Sequence, residues 1–427
     1  MHEDGCCIGT ATRGLDIAAP VVLTREDRQH HVHLIGKTGV GKSTLLRALM
    51  HDDLVSGQSF ALLDPLGGLA EAVANAIPSA RNDETIYLDP GGDLEHCIGF
   101  NPLDRVPRDK RHLVADHVVS AFMHIWGANL EDTPRLIYIL YHGIRLLLDV
   151  DGSTLLGLPR LLIDDKYRGR LLRSCTENAV AGFWANEFAA YDERFRVQVI
   201  SPIQNKIGML LAPPALRNIL GQKRSTIDIA RLMNVDGGIF IANLSKGRLG
   251  TTGAHLLGAM LATTIAHVAE ERASIDFNER LPFTLYCDEV QNFATTSFAS
   301  VLSEARNFRL HLVLAHQFLG QLPLSVQEAI IGNCGTSIVF RVGADDARRL
   351  AAELDMDNHA ALSNTPNRRA WVRLLQDGVP TEPIFVETLL PEAPAQDRKA
   401  AVIAHTRARH TRRRASVEAA IARQQQV

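Results

Sequence analysis

The segment "HLIGKTGVGKST", residues 33–44, limits the possible fold more than any other stretch of the chain. It contains the phosphate-binding pattern G-x-x-x-x-G-K-[ST] in full, with an apolar run before it and a run of helical period after it. That order predicts a strand, a glycine-rich loop and a helix, whose backbone N–H groups and positive dipole end would face bound phosphates. The predicted nucleotide-binding residues are consecutive: Gly36, Lys37, Thr38, Gly39, Val40, Gly41, Lys42, Ser43 and Thr44.

A second motif supplies the acids that such a loop needs for hydrolysis. In the loop itself, Lys42 is predicted to reach the β- and γ-phosphate oxygens and Ser43 to hold Mg²⁺. The segment "FTLYCDEVQNF" ends an apolar strand with two acids. Asp288 is predicted to coordinate the metal through water, and Glu289 to polarise the attacking water. The alternative is a carboxylate that caps the following helix, which would be the commoner case for either acid alone.

A glutamine follows another predicted strand, "LHLVLAH". Ligands of open α/β sheets bind at the carboxyl ends of the strands, and Gln317 would lie at such an end. Its amide is therefore a candidate catalytic group that senses the γ-phosphate or positions the water. An ordinary surface glutamine is the alternative.

Three other classes of phosphate-loop protein fit the sequence less well. "QNKIG" around Asn205 lacks the aspartate of a guanine-reading N-K-x-D motif, which argues against a GTPase switch. "LSKGRLG" from Leu244 lacks the second glycine of a transporter signature, and a small-molecule kinase would not need a glutamate after the metal-binding aspartate. An ATPase motor or an ATP-driven switch remains, with ATP and Mg²⁺ as the expected cofactors.

The order of elements predicts the domain organisation. Strand-like and helix-like segments alternate in residues 1–107 and again in residues 221–390, which indicates an α/β fold with a mostly parallel sheet. Residues 108–220 have helical period and are predicted to form an inserted all-α domain. Near the end, "AWVRLLQ" and "EPIFVETLL" flank "DGVPT" and predict a β-hairpin. Residues 391–427 are a basic C-terminal tail, either a helix or an arm that orders on binding.

The net charge does not identify a partner, because Lys plus Arg total 45 and Asp plus Glu total 48. The charge is unevenly distributed: residues 398–423 hold eight Lys or Arg and one acid, Glu418. The six cysteines have neither CxxC nor Cys/His spacing, so we expect no disulfides and a reducing cytoplasm. Without a secretion signal or an apolar run of about 18 residues, we expect no transmembrane segment.

Several segments, taken together, are similar to one group of motors. They are "HHVHLIGKTGVGKSTLL", "PIQNKIGMLLAPPALRNILGQ", "NLSKGRLG", "LYCDEVQNF", "AHQFLGQL" and "GTSIVFRVGADDARRLA". The chain resembles the HerA/FtsK-type motors over residues 24–390, and most closely the coupling ATPases of conjugation and type IV secretion, the TraG/TraD group. The resemblance implies a RecA-like ATPase domain with an inserted all-α domain, and a homo-hexameric ring with ATP at subunit boundaries and DNA in the central channel.

The resemblance also assigns residues by motif position. Lys42 and Ser43 match the phosphate and Mg²⁺ residues, Asp288 with Glu289 matches the second motif, and Gln317 matches the third. Arg306, in "SEARNFRLHLVLAHQ", matches the arginine that members extend into a neighbour's site. From the residues alone, a solvated helix arginine would be the preferred interpretation of Arg306.

Coupling proteins usually begin with transmembrane helices, and this sequence shows none. We therefore expect a cytoplasmic protein, or one held peripherally at the inner membrane by a partner. The expected partners are DNA and one of three proteins: a relaxase, a nuclease or a secretion-channel protein.

DNA in a ring needs only a few basic groups from each subunit, because several copies converge on one duplex. A solvated charged face is the alternative for each of them. The candidate DNA-binding residues are Lys206, Arg217, Lys223, Arg224, Lys246 and Arg248.

Two functions from different classes follow. The first is an ATP-driven DNA translocase of the conjugative kind. The second is a HerA-like ATP-gated partner of a nuclease or relaxase that binds DNA without pumping it. A protein unfoldase is disfavoured, because the sequence shows no substrate-recruiting motif.

Overall fold

The computed structural model describes residues 5–13, 16–127, 134–235, 237–296, 298–376, 378–390 and 397–426. Within these ranges the strands are, in chain order, β1 (Gly5–Arg13), β2 (Asp16–Thr24), β3 (Val32–Ile35), β4 (Ser59–Asp64), β5 (Thr85–Leu88), β6 (His96–Ile98), β7 (Ile239–Asn243), β8 (Phe283–Cys287), β9 (Leu310–His316), β10 (Thr336–Val339), β11 (Arg369–Arg373), β12 (Leu375–Gln376), β13 (Val379–Pro380), β14 (Ile384–Thr388) and β15 (Thr411–Arg413).

The α-helices of the same ranges are α1 (Arg25–Arg28), α2 (Lys42–Val55), α3 (Gly68–Ala76), α4 (Arg111–Trp126), α5 (Pro134–Leu148), α6 (Gly157–Ile163), α7 (Asp165–Ser174), α8 (Asn178–Gly182), α9 (Glu193–Leu211), α10 (Pro214–Leu220), α11 (Ile229–Met233), α12 (Lys246–Leu249), α13 (Thr251–Glu271), α14 (Phe298–Glu304), α15 (Leu324–Asn333), α16 (Ala344–Glu353), α17 (Ala360–Ser363), α18 (Lys399–His410) and α19 (Arg414–Gln426).

The chain divides into two compact units. The sheet unit takes its described residues from Met1–Leu88, Ile229–Asn243 and Ile265–His405. The helical unit takes them from Asp89–Asp228, Leu244–Thr264 and Thr406–Val427. The helical unit therefore contains the segment predicted as an all-α insertion together with shorter pieces from both sides of it and from the C-terminus.

The sheet unit is built on one large sheet, with strand order β2-β1-β14-β11-β10-β3-β9-β8-β4-β7-β5. The seven strands from β10 to β5 run parallel to their neighbours. The pairs from β2 to β10 are antiparallel, and they include the predicted hairpin, in which β11 pairs with β14. The predicted α/β class with a mostly parallel sheet is confirmed.

The central strands are mostly apolar, as is typical of a parallel sheet that is covered on both faces. Every residue is buried in five of them: β3, β4, β7, β8 and β9. On α2, Leu45, Leu46 and Leu49 are fully buried in the same core. This continuous burial explains why the strands could be recognised from apolar runs in the sequence.

A buried ion pair connects the helix that follows the phosphate loop to the strand that carries the acids. Arg28 donates to Asp53 Oδ1 at 2.7 Å, and Tyr286 donates its hydroxyl hydrogen to Asp53 Oδ2 at 2.5 Å. Arg28 also lies 3.1 Å from the Tyr286 oxygen. A buried charge is tolerated when it is paired and hydrogen-bonded. The cluster thus joins α1, α2 and β8.

Strands β1 and β2 were not predicted from the sequence. These two strands form an antiparallel pair at the edge of the sheet, and β1 also pairs with β14. Their residues include Gly5, Gly9 and Pro20, which are depleted in strands, and no polar and apolar alternation marks them. A Cβ at Gly9 would lie 2.3 Å from the Glu387 carbonyl oxygen, so this glycine permits the close approach of β14.

The helical unit has an apolar core of its own, with Phe122, Trp184 and Phe188 fully buried. The C-terminal segment is helical in α18 and α19, and the short strand between them, β15, pairs with β6 in this unit. Val417 and Ile421 of α19 pack against Cys97. Apolar side chains four residues apart share one face of a helix, which explains why the basic tail folds back instead of remaining an open arm.

Among the described residues, one helix is long and apolar enough by composition to cross a membrane, Thr251–Ser274. Of its apolar window, 83% is buried inside the folded chain. That burial is typical of a core helix of a globular protein.

Candidate nucleotide site

The loop after β3 is held between the ends of two neighbouring strands. The Gly36 N–H donates to the His316 carbonyl at 3.2 Å, and the Lys37 N–H donates to the Arg341 carbonyl at 2.9 Å. A Cβ at Gly36 would lie 2.6 Å from Phe340 Cβ, so only glycine fits there. Gly39 and Gly41 have φ of 77° and 125°, which L-residues with side chains rarely adopt. The loop therefore has the wrapped backbone that the motif predicts.

Lys42 begins α2 and turns back into the loop. Its Nζ donates to the Gly36 carbonyl at 2.6 Å and to the Lys37 carbonyl at 3.2 Å. Burial lowers the pKa of Lys42, while the charges of Glu289 and Asp288 oppose that shift. The ammonium group lies where it can exchange these carbonyls for phosphate oxygens.

Ser43 and Asp288 join the two predicted motifs. The Ser43 hydroxyl donates to Asp288 Oδ2 at 3.0 Å, although the two residues are 245 positions apart. Asp288 is 2% exposed, and burial with the charges of Asp64 and Glu289 raises its pKa to about 6. An exposed hydroxyl and a buried carboxylate at this distance, beside an excess of negative charge, fit a divalent cation with oxygen ligands.

Glu289 is held in an unusual backbone conformation. Its φ of 51° is left-handed, which costs about 1–3 kcal/mol for a residue with a side chain and is common at functional sites. Gln317 Nε2 donates to its Oε1 at 2.9 Å, and Gln291 Nε2 donates to its Oε2 at 2.7 Å. Its side chain makes no capping hydrogen bond to the following 3₁₀ turn. The helix-cap alternative therefore does not account for Glu289.

The structure brings five of the predicted residues together: Lys42, Ser43, Asp288, Glu289 and Gln317. They follow β3, β8 and β9, which are adjacent and parallel in the order β3-β9-β8. The carboxyl ends of parallel strands meet at one edge of a sheet, where ligands of α/β folds bind. Tertiary structure thus assembles one site from segments far apart in the sequence.

Arg306 does not belong to this group. It is exposed on the 3₁₀ turn Ala305–Phe308, just before the amino end of β9. Gln317 follows the other end of that strand, which has seven residues, so about 20 Å separate the two along β9. Burial and then the charge of Arg306 lower the pKa of His30, which precedes β3, so Arg306 lies at the amino edge of the sheet.

Asp64 is a site residue that the sequence analysis missed. It ends β4, next to β8, and is fully buried. Its two oxygens accept hydrogen bonds from the N–H groups of Leu66 and Ala70, each at 2.8 Å, at the start of α3. Its charge also contributes to the raised pKa of Asp288. An acid directly after a buried strand, in "SFALLDP", was the signal that could have identified it.

A second missed feature is a histidine pair beneath the loop. His33 on β3 and His316 on β9 are buried and stacked, with their Nε2 atoms 2.8 Å apart. Burial lowers the pKa of His316 to about 4 and that of His33 well below its usual value, so both rings are neutral near pH 7. His316 Nδ1 lies 3.2 Å from the Phe318 carbonyl and must donate to it, so His33 donates from Nε2 to His316.

Arg368 is a third residue that the motifs did not point to. Its N–H donates to the Val40 carbonyl in the phosphate loop at 2.7 Å, and its φ is 62°. Its side chain is exposed. The residue just before β11 therefore supports the loop through a backbone hydrogen bond.

All six candidate DNA-binding residues lie in the helical unit. Arg224 donates to Asp104 and Asp151, each at 2.7 Å, and Arg248 lies 3.1 Å from Asp89. Lys206 lies 5.0 Å above the Trp126 ring. The charges of Arg224 and Arg248 are thus partly offset within the chain, whereas Arg217 and Lys223 have no carboxylate at ion-pair distance among the described residues.

Several solved structures have a fold similar to that of this chain. The plasmid coupling protein TrwB in complex with ADP and Mg²⁺ matches with a TM-score of 0.64 and 16% identity, over 92% of this chain and 96% of that one. The chain has the coupling-protein fold. TrwB with the non-hydrolysable ATP analogue ADPNP gives the same TM-score and identity over 92% and 95% of the two chains. VirB4 of Thermoanaerobacter pseudethanolicus matches with a TM-score of 0.58 and 14% identity over 91% and 97%.

The resemblance noted from the sequence is therefore confirmed at the level of the fold. No protein-family model matches the chain, and no curated protein matches it significantly. Identities near 16% do not carry residue roles from one chain to the other. The role of each residue in this site therefore rests on the geometry of the site itself.

The contacts of Lys42 and Glu289 predict that two substitutions separate nucleotide binding from turnover. Glu289→Gln should lower the rate of ATP hydrolysis by at least about 100-fold, because it removes the group that can accept a proton from water. It should leave the affinity for ATP nearly unchanged, since the phosphate contacts remain. Lys42→Ala should lower both. The measurements are steady-state hydrolysis and binding of a fluorescent ATP analogue.

Glu304→Gln is the matched control, because it makes the same chemical change at an exposed position of α14. Normal hydrolysis by Glu289→Gln would show that Glu289 does not activate water.

Proposed function

We propose that this chain is an ATP-hydrolysing motor that moves DNA, of the kind found in conjugative coupling proteins, and that it works as a homo-hexamer. The observation that carries the proposal is the assembled pair of contacts from Ser43 to Asp288 and from Gln317 to Glu289. These contacts give one edge of the sheet the groups needed for phosphoryl transfer to water. The coupling-protein fold over 92% of the chain supports the DNA-moving role.

The residues of the site divide into holding groups and reacting groups. The loop N–H groups and Lys42 hold the phosphates, and Ser43 with Asp288 holds Mg²⁺. The metal, when bound, neutralises charge on the β- and γ-phosphates.

Glu289 and Gln317 act on the water. Glu289 accepts a proton from the attacking water, and its two amide partners fix the direction of its carboxylate. Gln317 also lies at the end of β9, where it can respond to the presence of a γ-phosphate. Because the same amide contacts Glu289, a change at the phosphate is transmitted to the residue that activates water.

The position of Arg306 favours the proposed hexameric ring. Arg306 is exposed, and the length of β9 keeps it from the nucleotide site of its own chain. If an arginine in that place acts on a nucleotide, the nucleotide belongs to another subunit, as in a ring with sites at subunit boundaries. Arginines that complete a neighbouring site accelerate hydrolysis by about 10³ to 10⁵ in other phosphate-loop enzymes.

The trans role of Arg306 predicts complementation between two inactive variants. Arg306→Ala and Lys42→Ala should each hydrolyse ATP very slowly alone. A mixed ring contains interfaces where an intact Lys42 meets an intact Arg306 of its neighbour, so activity should recover to about a quarter of the native level. The measurement is ATP hydrolysis in an equimolar mixture whose co-assembly is verified by light scattering.

Arg348→Ala serves as the control, because this exposed arginine pairs with Asp345 of its own chain and should leave hydrolysis unchanged. A co-assembled mixture that stays inactive would contradict the trans role.

DNA is the proposed substrate that this motor binds and moves. Its contacts would come from basic groups of the helical unit, such as Arg217 and Lys223, and would depend on salt but not on base sequence. The free state of the cysteines among the described residues supports a reducing, cytoplasmic location. A secretion-channel protein could hold such a motor peripherally at the inner membrane, and a relaxase or nuclease could deliver DNA to it.

The proposal predicts ATP hydrolysis that rises steeply with both protein concentration and DNA, because a ring must assemble around its track. The measurement is steady-state hydrolysis at several protein concentrations, with and without single- and double-stranded DNA, at fixed low salt. Hydrolysis that is indifferent to DNA would contradict a translocase and favour an ATP-gated partner of a nuclease or relaxase.

A further inference from the structure

The helical unit contains a cavity of about 750 Å³ that plays no part in the proposed motor chemistry. Its walls come from five places: residues 150–156, helices α6 and α7, residues 221–223, Arg412 of β15, and α19 from Ser416 to Gln425. A cavity of this volume is in the usual range for sites that enclose a small organic ligand. The C-terminal helix thus forms one wall of a potential binding site.

The floor of the cavity is apolar. It is formed by Leu156, Leu171, Val417 and Ile421, with Ala420 beside them. Leu156 packs against Val417 and Ile421, so α19 is fixed in place by the same cluster that lines the cavity. An aliphatic body would gain from contact with these side chains, since apolar surface removed from water is stabilising.

The rim is positively charged. Arg170, Lys223, Arg412 and Arg423 line it, and no carboxylate lies at ion-pair distance from any of them among the described residues. Of the other charged lining residues, Arg160 is paired with Asp164 at 3.0 Å, and Asp151 is paired with Arg224 at 2.7 Å. Four cations thus surround an apolar floor without internal neutralisation.

Tyr167 forms a side wall of the cavity between the paired Arg160 and the rim residue Arg170. The guanidinium of Arg160 lies 4.5 Å from the centre of its ring, and that of Arg170 lies 5.7 Å away. A Cβ at Gly157 would come within 2.6 Å of the Tyr167 hydroxyl oxygen, so the glycine leaves room for the ring. Arg160 also donates to the Gln425 carbonyl at 3.0 Å, which connects α6 to the end of α19.

We propose that this cavity binds a small amphiphilic anion, with an aliphatic chain on the floor and a carboxylate or phosphate head at the rim. Arginine is well suited to both head groups because its planar donors match their oxygens. A neutral apolar ligand would leave the four cations unused, and a cationic one would be repelled. Occupancy would connect α19 to α6 and α7 and so stabilise the helical unit.

Isothermal titration calorimetry of the full chain with dodecanoate and with dodecyl phosphate, both below their micelle concentrations, tests the proposal. Each should bind saturably with one site per chain. The cationic probe dodecyltrimethylammonium should bind at least about tenfold more weakly, because its head meets like charges.

Two variants on α19 locate the site. Ala420→Trp fills the cavity and should weaken binding of dodecanoate at least about tenfold, since the chain loses its space. Ala419→Trp is the matched control, because Ala419 is the adjacent exposed residue of the same helix and does not line the cavity. It should bind as the native chain does. Circular dichroism and thermal melting verify that both variants are folded.

A second pair of variants tests the rim without filling the cavity. Combined Arg170→Ala and Arg423→Ala should weaken binding about tenfold, and the loss should shrink at high salt. Arg194→Ala, at an exposed position of α9 outside the cavity, should have no effect. The proposal is overturned by an absence of saturable binding, by equal binding of the cationic probe, by equal affinities of the two tryptophan variants, or by binding only to phosphatidylglycerol vesicles and not to the monomeric probes.

Discussion

Three ionisable side chains are buried at one edge of the sheet, and the sheet unit is arranged so that their charges offset one another. Lys42 lies beside Asp288 and Glu289, and each would be costly to bury alone. Parallel neighbours β3, β9 and β8 bring them together, while the cluster of Arg28, Asp53 and Tyr286 fixes α2 to β8 behind them. Burial, and then the negative excess that remains, raise the pKa of Asp288, and a divalent cation would neutralise that excess.

The residues of this site could be predicted from the sequence because its motifs lie at the ends of buried, mostly apolar strands. Lys42, Ser43, Asp288, Glu289 and Gln317 each follow such a run closely, so their meeting could be predicted from topology alone. What could not be predicted depends on contacts between segments. The left-handed backbone of Glu289, the hydrogen bond between His33 and His316, and the approach of Arg368 to Val40 have no local signature.

The charge pattern of the C-terminal segment did not predict how that segment folds. Its basic residues suggested a separate tail, yet Val417 and Ile421 are buried in the helical unit and β15 pairs with β6. Two apolar side chains in a basic run are a weak pattern, and a three-residue strand has almost no sequence signal. The candidate DNA contacts have the same difficulty, because only the structure shows that Arg224 and Arg248 face carboxylates.

We propose that hydrolysis at this site moves DNA. This proposal is tested most directly by roadblock displacement, in which streptavidin bound to the end of a biotinylated duplex is removed by the protein in the presence of ATP. The native chain should displace streptavidin only while it hydrolyses ATP, and Glu289→Gln, which still binds ATP, should displace none. Hydrolysis stimulated by DNA without any displacement would contradict translocation.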